Sequence, residues 1–104
     1  MKKQYQMSNF FEIINKPIPV LIDFYADWCG PCQVMSPVLK DVKSELGDKV
    51  AIIKINVDKN KALAQKFQVR GVPTFMIFKN GKQLWRQSGV LNKANLVEVL
   101  TQFA

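Results

Sequence analysis

The chain has 104 residues, a length that suits one domain over residues 1–104 with a single hydrophobic core. Apolar residues make up 48% of the sequence, and no apolar run approaches the roughly 20 residues that a membrane helix needs, so we expect no membrane association. The net charge is +7, but the 13 lysines and 2 arginines are scattered. This pattern favours a solvated, lysine-rich surface and predicts no nucleic-acid binding.

Strand-like and helix-like segments alternate along the whole chain. Runs rich in β-branched and aromatic residues predict buried strands, and apolar residues three and four apart predict helices packed against them. The predicted architecture is a mixed α/β sheet of four or five strands with helices on both faces. In chain order, the predicted elements are a helix over 9–15 capped by Ser8, a strand over 19–26, a helix over 31–46 interrupted by Pro37, a strand over 49–57, a helix over 60–67, a hairpin around Asn80-Gly81 and a helix capped by Asn92.

Both cysteines of the chain lie in one short motif, Trp28-Cys29-Gly30-Pro31-Cys32. Two cysteines without any histidine provide too few ligands for a typical zinc site. A purely structural disulfide across so short a loop would remove little entropy from the unfolded chain and therefore stabilise little. The spacing, placed between a strand and a helix, favours a redox-active dithiol.

The order of residues in this motif suits a dithiol that acts in two steps. Cys29 would lie at the helix N-terminus, where unpaired N–H groups and the helix dipole favour a thiolate. Cys32 would lie about one turn further, near disulfide range. Gly30 leaves room for a partner's backbone, Pro31 suits a first helical turn, and Trp28 offers a flat apolar surface. We expect Cys29 to attack a substrate disulfide and Cys32 to resolve the mixed disulfide.

Three further residues have two interpretations on local sequence alone. Asp23 interrupts an apolar strand, so it is either a buried carboxyl group or a residue at a frayed strand end facing water. Lys54 is either a functional cation or a lysine that extends its ammonium group into solvent. Pro73 precedes a predicted strand, and base rates do not favour a cis bond there.

Three segments together resemble the thioredoxin family: VLIDFYADWCGPCQVMSPVL, KINVD and RGVPTFMIFKNG, in this order and at fitting distances. The resemblance extends from about Val20 to Phe103. It implies the thioredoxin fold and a protein-disulfide reductase, a monomer that carries no bound cofactor. Its partners would be disulfide-containing proteins and a thioredoxin reductase that regenerates the dithiol with electrons from NADPH.

The resemblance also assigns roles to individual residues. Cys29 would be the nucleophile and Cys32 the resolving thiol. Asp23 would be a buried proton carrier with Lys54 as its neighbour, and Pro73 would be a cis-proline facing the disulfide. The residues that would border the partner groove are Trp28, Gly30, Pro31, Val57, Val72 and Gly89.

The sequence departs from the family pattern at three places. Gln33 follows the motif where the family often has lysine, which removes one local positive charge. Tyr25 replaces a frequent tryptophan. The segment KKQYQM is polar and would make a poor first strand, so that strand is expected to be short or absent.

Three alternative functions remain open from the residues themselves. An oxidase or isomerase of an exported compartment would use the same chemistry, but Gly-Pro between the cysteines counts against it. The segment MKKQYQMSNFFEII also has no apolar stretch typical of a secretory signal, so we expect a cytoplasmic protein. A non-catalytic binding module would not need both cysteines, and a nucleic-acid binder would have to exploit a dispersed charge.

Overall fold

The computed structural model of the protein describes residues 7–104. Helices and strands alternate along this part of the chain as the sequence predicts, and none of its helices is long and apolar enough to cross a membrane. The elements are α1 (Met7–Ile14), β1 (Val20–Tyr25), α2 (Gly30–Leu46), a 3₁₀ turn (Gly47–Lys49), β2 (Ala51–Asn56), α3 (Lys61–Lys66), β3 (Thr74–Lys79), β4 (Lys82–Ser88) and α4 (Lys93–Gln102).

The described strands form one mixed sheet in the order β2-β1-β3-β4, which confirms the predicted fold class. Strand β1 is parallel to β2, as a βαβ unit requires, and antiparallel to β3. The register places Asp23 of β1 opposite Lys54 on one side and opposite Phe75 on the other. Strand β1 therefore has a hydrogen-bonded neighbour on each side and leads directly into the cysteine motif.

Hydrophobic cores lie on both faces of the sheet. Leu21, Phe75 and Ile77 pack on one face with buried residues of α2 and α4. On the other face, the Phe10 ring of α1 contacts the ring of Phe78 with centroids 5.7 Å apart. Burial of side chains of this size contributes roughly 1.5–3 kcal/mol each, which fixes the helices on the sheet.

The N-terminal helix differs from the prediction in its starting point. Helix α1 includes Met7 and Ser8, so Ser8 lies within the helix rather than before it. Except for Met7, the weak first strand predicted from KKQYQM lies outside the described residues. Strand β2 is shorter than predicted because residues Gly47–Lys49 form the 3₁₀ turn, and the C-cap Gly47 has a φ of +55°.

The hairpin and the last helix form where the sequence predicts them. Asn80 and Gly81 have φ values of 52° and 81°, the positive values that a type I′ turn requires. The Asn92 side chain accepts a hydrogen bond of 2.8 Å from the backbone N–H of Asn95, which caps α4. Local sequence chemistry is therefore sufficient to place both features.

The loop between α3 and β3, residues 67–73, is held by β4. The Arg86 guanidinium donates to the backbone carbonyls of Phe67 and Gln68, the second across 2.9 Å. At the other end of the loop, the backbone N–H of Gly89 donates to the carbonyl of Pro73 across 2.9 Å. These contacts fix the loop that carries Val72 toward the cysteines.

Candidate active site

The two cysteines form a disulfide bond at the start of α2, with their Cα atoms 5.3 Å apart. Cys29 is the N-cap residue, with extended backbone angles, and Cys32 lies in the first turn. The side chains are nearly buried, with 4% and 5% of their surfaces exposed. The predicted positions of both cysteines are therefore confirmed.

The Cys29 sulfur already occupies the place of an N-cap acceptor. The backbone N–H of Cys32 donates a hydrogen bond to Cys29 Sγ across 3.1 Å. Ordinary N-cap side chains use an oxygen atom for this contact. A sulfur atom at this position lies near the positive end of the helix dipole, a location that in general favours thiolates.

The cysteines belong to a small apolar cluster that several predicted groove residues share. Ala26 is buried with the two cysteines, and Val57 and Val72 pack against this cluster. The Val72–Pro73 peptide bond is cis, as the resemblance predicts, and Pro73 is buried. Gly30 and Pro31 are exposed, and Gly89 is linked to Pro73 through its backbone N–H.

Asp23 lies buried on β1 at a position that stabilises its protonated form. Only 1% of its surface is exposed, and neither carboxyl oxygen has a hydrogen-bond partner among residues 7–104. Burial raises the pKa of Asp23 from its ordinary value of 3.8 to about 7, while the positive charge of Lys54 acts in the opposite direction. Of the two interpretations of Asp23, the buried one is correct.

Lys54 is exposed, so the interpretation that it extends into solvent is partly correct. Its ammonium group nevertheless lies over the Tyr25 ring, 4.8 Å from the ring centroid. Both side chains line a cleft of about 250 Å³ that reaches Cys32. The lining residues are Tyr25, Ala26, Asp27, Cys32, Gln33, Ser36 and Lys54.

A family model described as Thioredoxin matches residues 2–102, nearly the whole chain. The chain belongs to the thioredoxin family. It is 45% identical to Thioredoxin Y, chloroplastic, of Oryza sativa over 97 residues, which are 92% of this chain and 58% of the Oryza protein. It is 43% identical to a thioredoxin-like protein of Synechocystis sp. over 104 residues, with 99% of this chain and 97% of that protein covered.

Solved structures agree with this membership. A mutant thioredoxin from Halobacterium salinarum superimposes with a TM-score of 0.86 at 37% identity, over 96% of this chain and 86% of the other. The thioredoxin fold predicted from sequence is therefore confirmed. As a member of the thioredoxin family with a redox-active cysteine pair, the chain is a protein-disulfide oxidoreductase.

The sequence did not predict the contacts of Asp58 and Asn56 next to this site. The indole N–H of Trp28, whose side chain is 72% exposed, donates to Asp58 Oδ2 across 2.9 Å. Asn56 Oδ1 in turn accepts hydrogen bonds from the backbone N–H groups of Asp58 and Lys59, at 2.9 and 3.2 Å. An Asn at the end of a buried strand whose side chain accepts from the backbone two residues further on is typical of such a turn, so Asn56-Val57-Asp58 was the available signal.

Proposed function

We propose that the chain is a thioredoxin-type protein-disulfide reductase that a thioredoxin reductase regenerates with electrons from NADPH. The observation that carries the proposal is the hydrogen bond from the Cys32 N–H to Cys29 Sγ. It favours Cys29 as the thiolate in the reduced protein, and the thiolate is the attacking species in disulfide exchange. Membership of the thioredoxin family supports the same chemistry.

The exchange proceeds in two displacements. The Cys29 thiolate attacks one sulfur of a substrate disulfide, forms a mixed disulfide and releases the first substrate thiolate. Cys32 then loses its proton and attacks Cys29 Sγ, which forms the Cys29–Cys32 disulfide and releases the second substrate thiolate. The substrate gains two electrons and the dithiol loses two. The reductase returns the dithiol by delivering two electrons and two protons to the disulfide.

Asp23 acts in this proposal as the group that takes the proton of Cys32. Its carboxyl group is buried and has no hydrogen-bond partner among the described residues, and its pKa of about 7 permits it to accept and return a proton near neutral pH. Strand β1 carries Asp23 and leads to the cysteine motif, and Lys54 moderates the cost of the ionised form.

The groove that receives the substrate surrounds the sulfur atoms. Val57 and Val72 pack against the cysteine cluster, and the backbone of Val72, next to Pro73, offers an edge to which an extended peptide can add by β-type hydrogen bonds. The exposed Trp28 ring supplies apolar contact area. Gly30, Pro31 and Gly89 complete the border of the groove.

The remaining features of the proposal concern the protein as a whole. We infer a single domain over residues 1–104, a monomer that works in the cytoplasm on protein disulfides and carries no bound cofactor. Two relatives, of Oryza sativa and Arabidopsis thaliana, are named as chloroplastic proteins, whereas the name of the related thioredoxin of Haemophilus influenzae gives no compartment.

The proposal is tested by the reduction of insulin disulfides, followed as turbidity, with NADPH and a thioredoxin reductase as the electron source. Rapid precipitation that depends on both the chain and the reductase is the expected result. Glutathione in place of the reductase, at matched reducing equivalents, is the control. If the chain instead accelerates disulfide formation in a reduced substrate and ignores the reductase, an oxidase or isomerase replaces the proposal.

A further inference from the structure

The Lys54 ammonium group and the Tyr25 ring come from neighbouring strands and meet at the end of β1. The ring centroid lies 4.8 Å from Lys54 Nζ, inside the range of about 6 Å for a cation–π contact. Tyr25 pairs with Asn56 in the parallel register, so Lys54 must lean along its strand to reach the ring. The lysine therefore adopts a specific position although its side chain is exposed.

The position of the Lys54 ammonium group affects the ionisation of Asp23 on the neighbouring strand. Asp23 pairs directly with Lys54 in the register, and its two carboxyl oxygens have no hydrogen-bond partner among the described residues. On the opposite side, β3 places the apolar Phe75 next to Asp23. Lys54 is the charged group that acts on the Asp23 carboxyl.

Other titratable groups share the surroundings of Lys54. Asp27 and the Cys32 sulfur, a thiol after reduction, line the same cleft as the Tyr25 phenol and Lys54. Asp27 carries a carboxyl group in the same cleft and is therefore the alternative partner that the experiment must test. Because an exposed lysine with no such contacts extends into water, the groups that hold Lys54 decide how strongly its charge acts on the buried pocket.

We propose that Tyr25 is a positioning residue that holds the Lys54 ammonium group beside the Asp23 pocket, so that the aromatic ring, acting through Lys54, sets the electrostatic field at the Asp23 carboxyl. Tyr25, which stands where the family often has tryptophan, would thus position Lys54 in this chain. The inference rests on the proposed role of Asp23 as proton carrier for its consequence in exchange, but the contact itself is testable without that role.

The test is an NMR titration of the Asp23 carboxyl carbon in the disulfide form of the protein. Removal of the ring in Tyr25→Leu lets the ammonium group withdraw into solvent, so the titration midpoint of Asp23 rises. The expected rise is about half a pH unit, the size expected when a unit charge moves away by several ångströms at an effective dielectric constant of about 20. Tyr25→Phe keeps the ring and should keep the midpoint. Tyr25→Met replaces the leucine variant if that protein does not fold.

A double-mutant cycle separates positioning from a merely structural role. Lys54→Gln alone should raise the midpoint further than Tyr25→Leu, and Tyr25→Leu added to Lys54→Gln should change nothing more. An unchanged or lowered Asp23 midpoint in Tyr25→Leu overturns the proposal. It is also overturned if Tyr25→Leu raises the midpoint equally in the parent protein and in Lys54→Gln. If the Asp23 midpoint rises in Asp27→Asn but not in Tyr25→Leu, the Asp27 carboxylate rather than the Tyr25 ring holds the Lys54 ammonium group.

The pH profile of insulin reduction distinguishes failure of this inference from failure of the proposed function. If Asp23 carries the proton, the midpoint of the pH–activity profile rises in Tyr25→Leu by the same amount as the Asp23 titration midpoint. In Tyr25→Phe both midpoints equal those of the parent protein. If the Asp23 titration midpoint shifts but the midpoint of the pH–activity profile does not, the result supports the positioning of Lys54 by Tyr25 and contradicts the proton-carrier role of Asp23.

Discussion

The backbone N–H of Cys32 donates to the sulfur of Cys29 across 3.1 Å, and the reverse contact cannot occur because Cys32 lies inside the first turn of α2. The two cysteines are equally buried, so exposure does not distinguish them. Their difference is electrostatic: the Cys29 side chain is the N-cap that accepts the Cys32 N–H near the positive end of the helix dipole, whereas Cys32 lies within the first turn. Unequal roles in disulfide exchange follow from this asymmetry.

The first prediction concerns these unequal roles. Cys29→Ser should abolish attack on substrate disulfides, because the stabilised thiolate is gone. Cys32→Ser should still attack and then accumulate as a mixed disulfide, because nothing resolves it. Mass spectrometry after incubation with a disulfide substrate locates the adduct. A trapped adduct on Cys32 in Cys29→Ser, with none on Cys29 in the reverse variant, would show that the assignment is wrong.

The second prediction concerns Asp23 and protein stability. Its folded-state pKa of about 7 exceeds the unfolded value near 3.8, so between these values the unfolded chain releases a proton that the folded protein keeps. The free energy of unfolding therefore falls as pH rises from about 4 to about 7 and levels off above that. At about 1.36 kcal/mol per pKa unit, the loss reaches several kcal/mol.

Asp23→Asn should remove this pH dependence, because the amide does not ionise. The variant should be more stable than the parent at pH 8, and it should reduce insulin more slowly near neutral pH. Denaturant unfolding at pH 4.5 and pH 8 measures the effect, with Asp41→Asn on the exposed face of α2 as the matched control. A less stable Asp23→Asn at pH 8 with an unchanged exchange rate would indicate a structural, paired carboxylate.

The third prediction concerns the exposed indole of Trp28. Its hydrogen bond from the indole N–H to Asp58 restricts the orientation of the ring, which precedes Cys29 in the chain. Asp58→Ala should free the ring and raise KM for a protein substrate severalfold more than it changes kcat, while stability falls by no more than about 1 kcal/mol because the bond is exposed. Asp58→Asn retains an acceptor oxygen and should restore most of the effect. Equal KM values in all three proteins would exclude an orienting role for Asp58.

The fourth prediction concerns Arg86 and the loop over residues 67–73. Two carbonyl groups accept from one guanidinium, and lysine cannot reproduce this fork. Arg86→Lys should therefore lower the free energy of unfolding by about 1 kcal/mol and weaken substrate binding through Val72. The chain has one other arginine, and Arg70→Lys is the matched control. Identical stability in the two variants would contradict the clamp.

Much of the fold was predictable because short stretches of sequence determine it. Asn80-Gly81 requires the positive φ angles of a tight turn, Asn92 caps the helix that follows it, and the cysteine motif sits at a strand-to-helix junction. The ends of elements were less predictable, since the 3₁₀ turn over Gly47–Lys49 competes with the start of β2.

The contacts that the sequence did not reveal join residues far apart in the chain. Trp28 and Asp58 are 30 positions apart, and Arg86 contacts carbonyls 18 and 19 positions away. Such pairs depend on the strand order and on rotamers, which no local pattern encodes. Lys54 illustrates the same limit, because its charge acts on a buried carboxyl group while its side chain stays exposed and rests on Tyr25.

The central place of β1 in the sheet has a consequence for the lifetime of the site. Within the described sheet, β2 and β4 form the edges, and β1 has a hydrogen-bonded strand on each side. Amide groups of β1 should therefore exchange with deuterium only when the whole domain opens, whereas those of β4 exchange through local fraying. The cysteine motif follows one of the two central strands, so we expect the redox centre to keep its shape while the edges of the described sheet open and close.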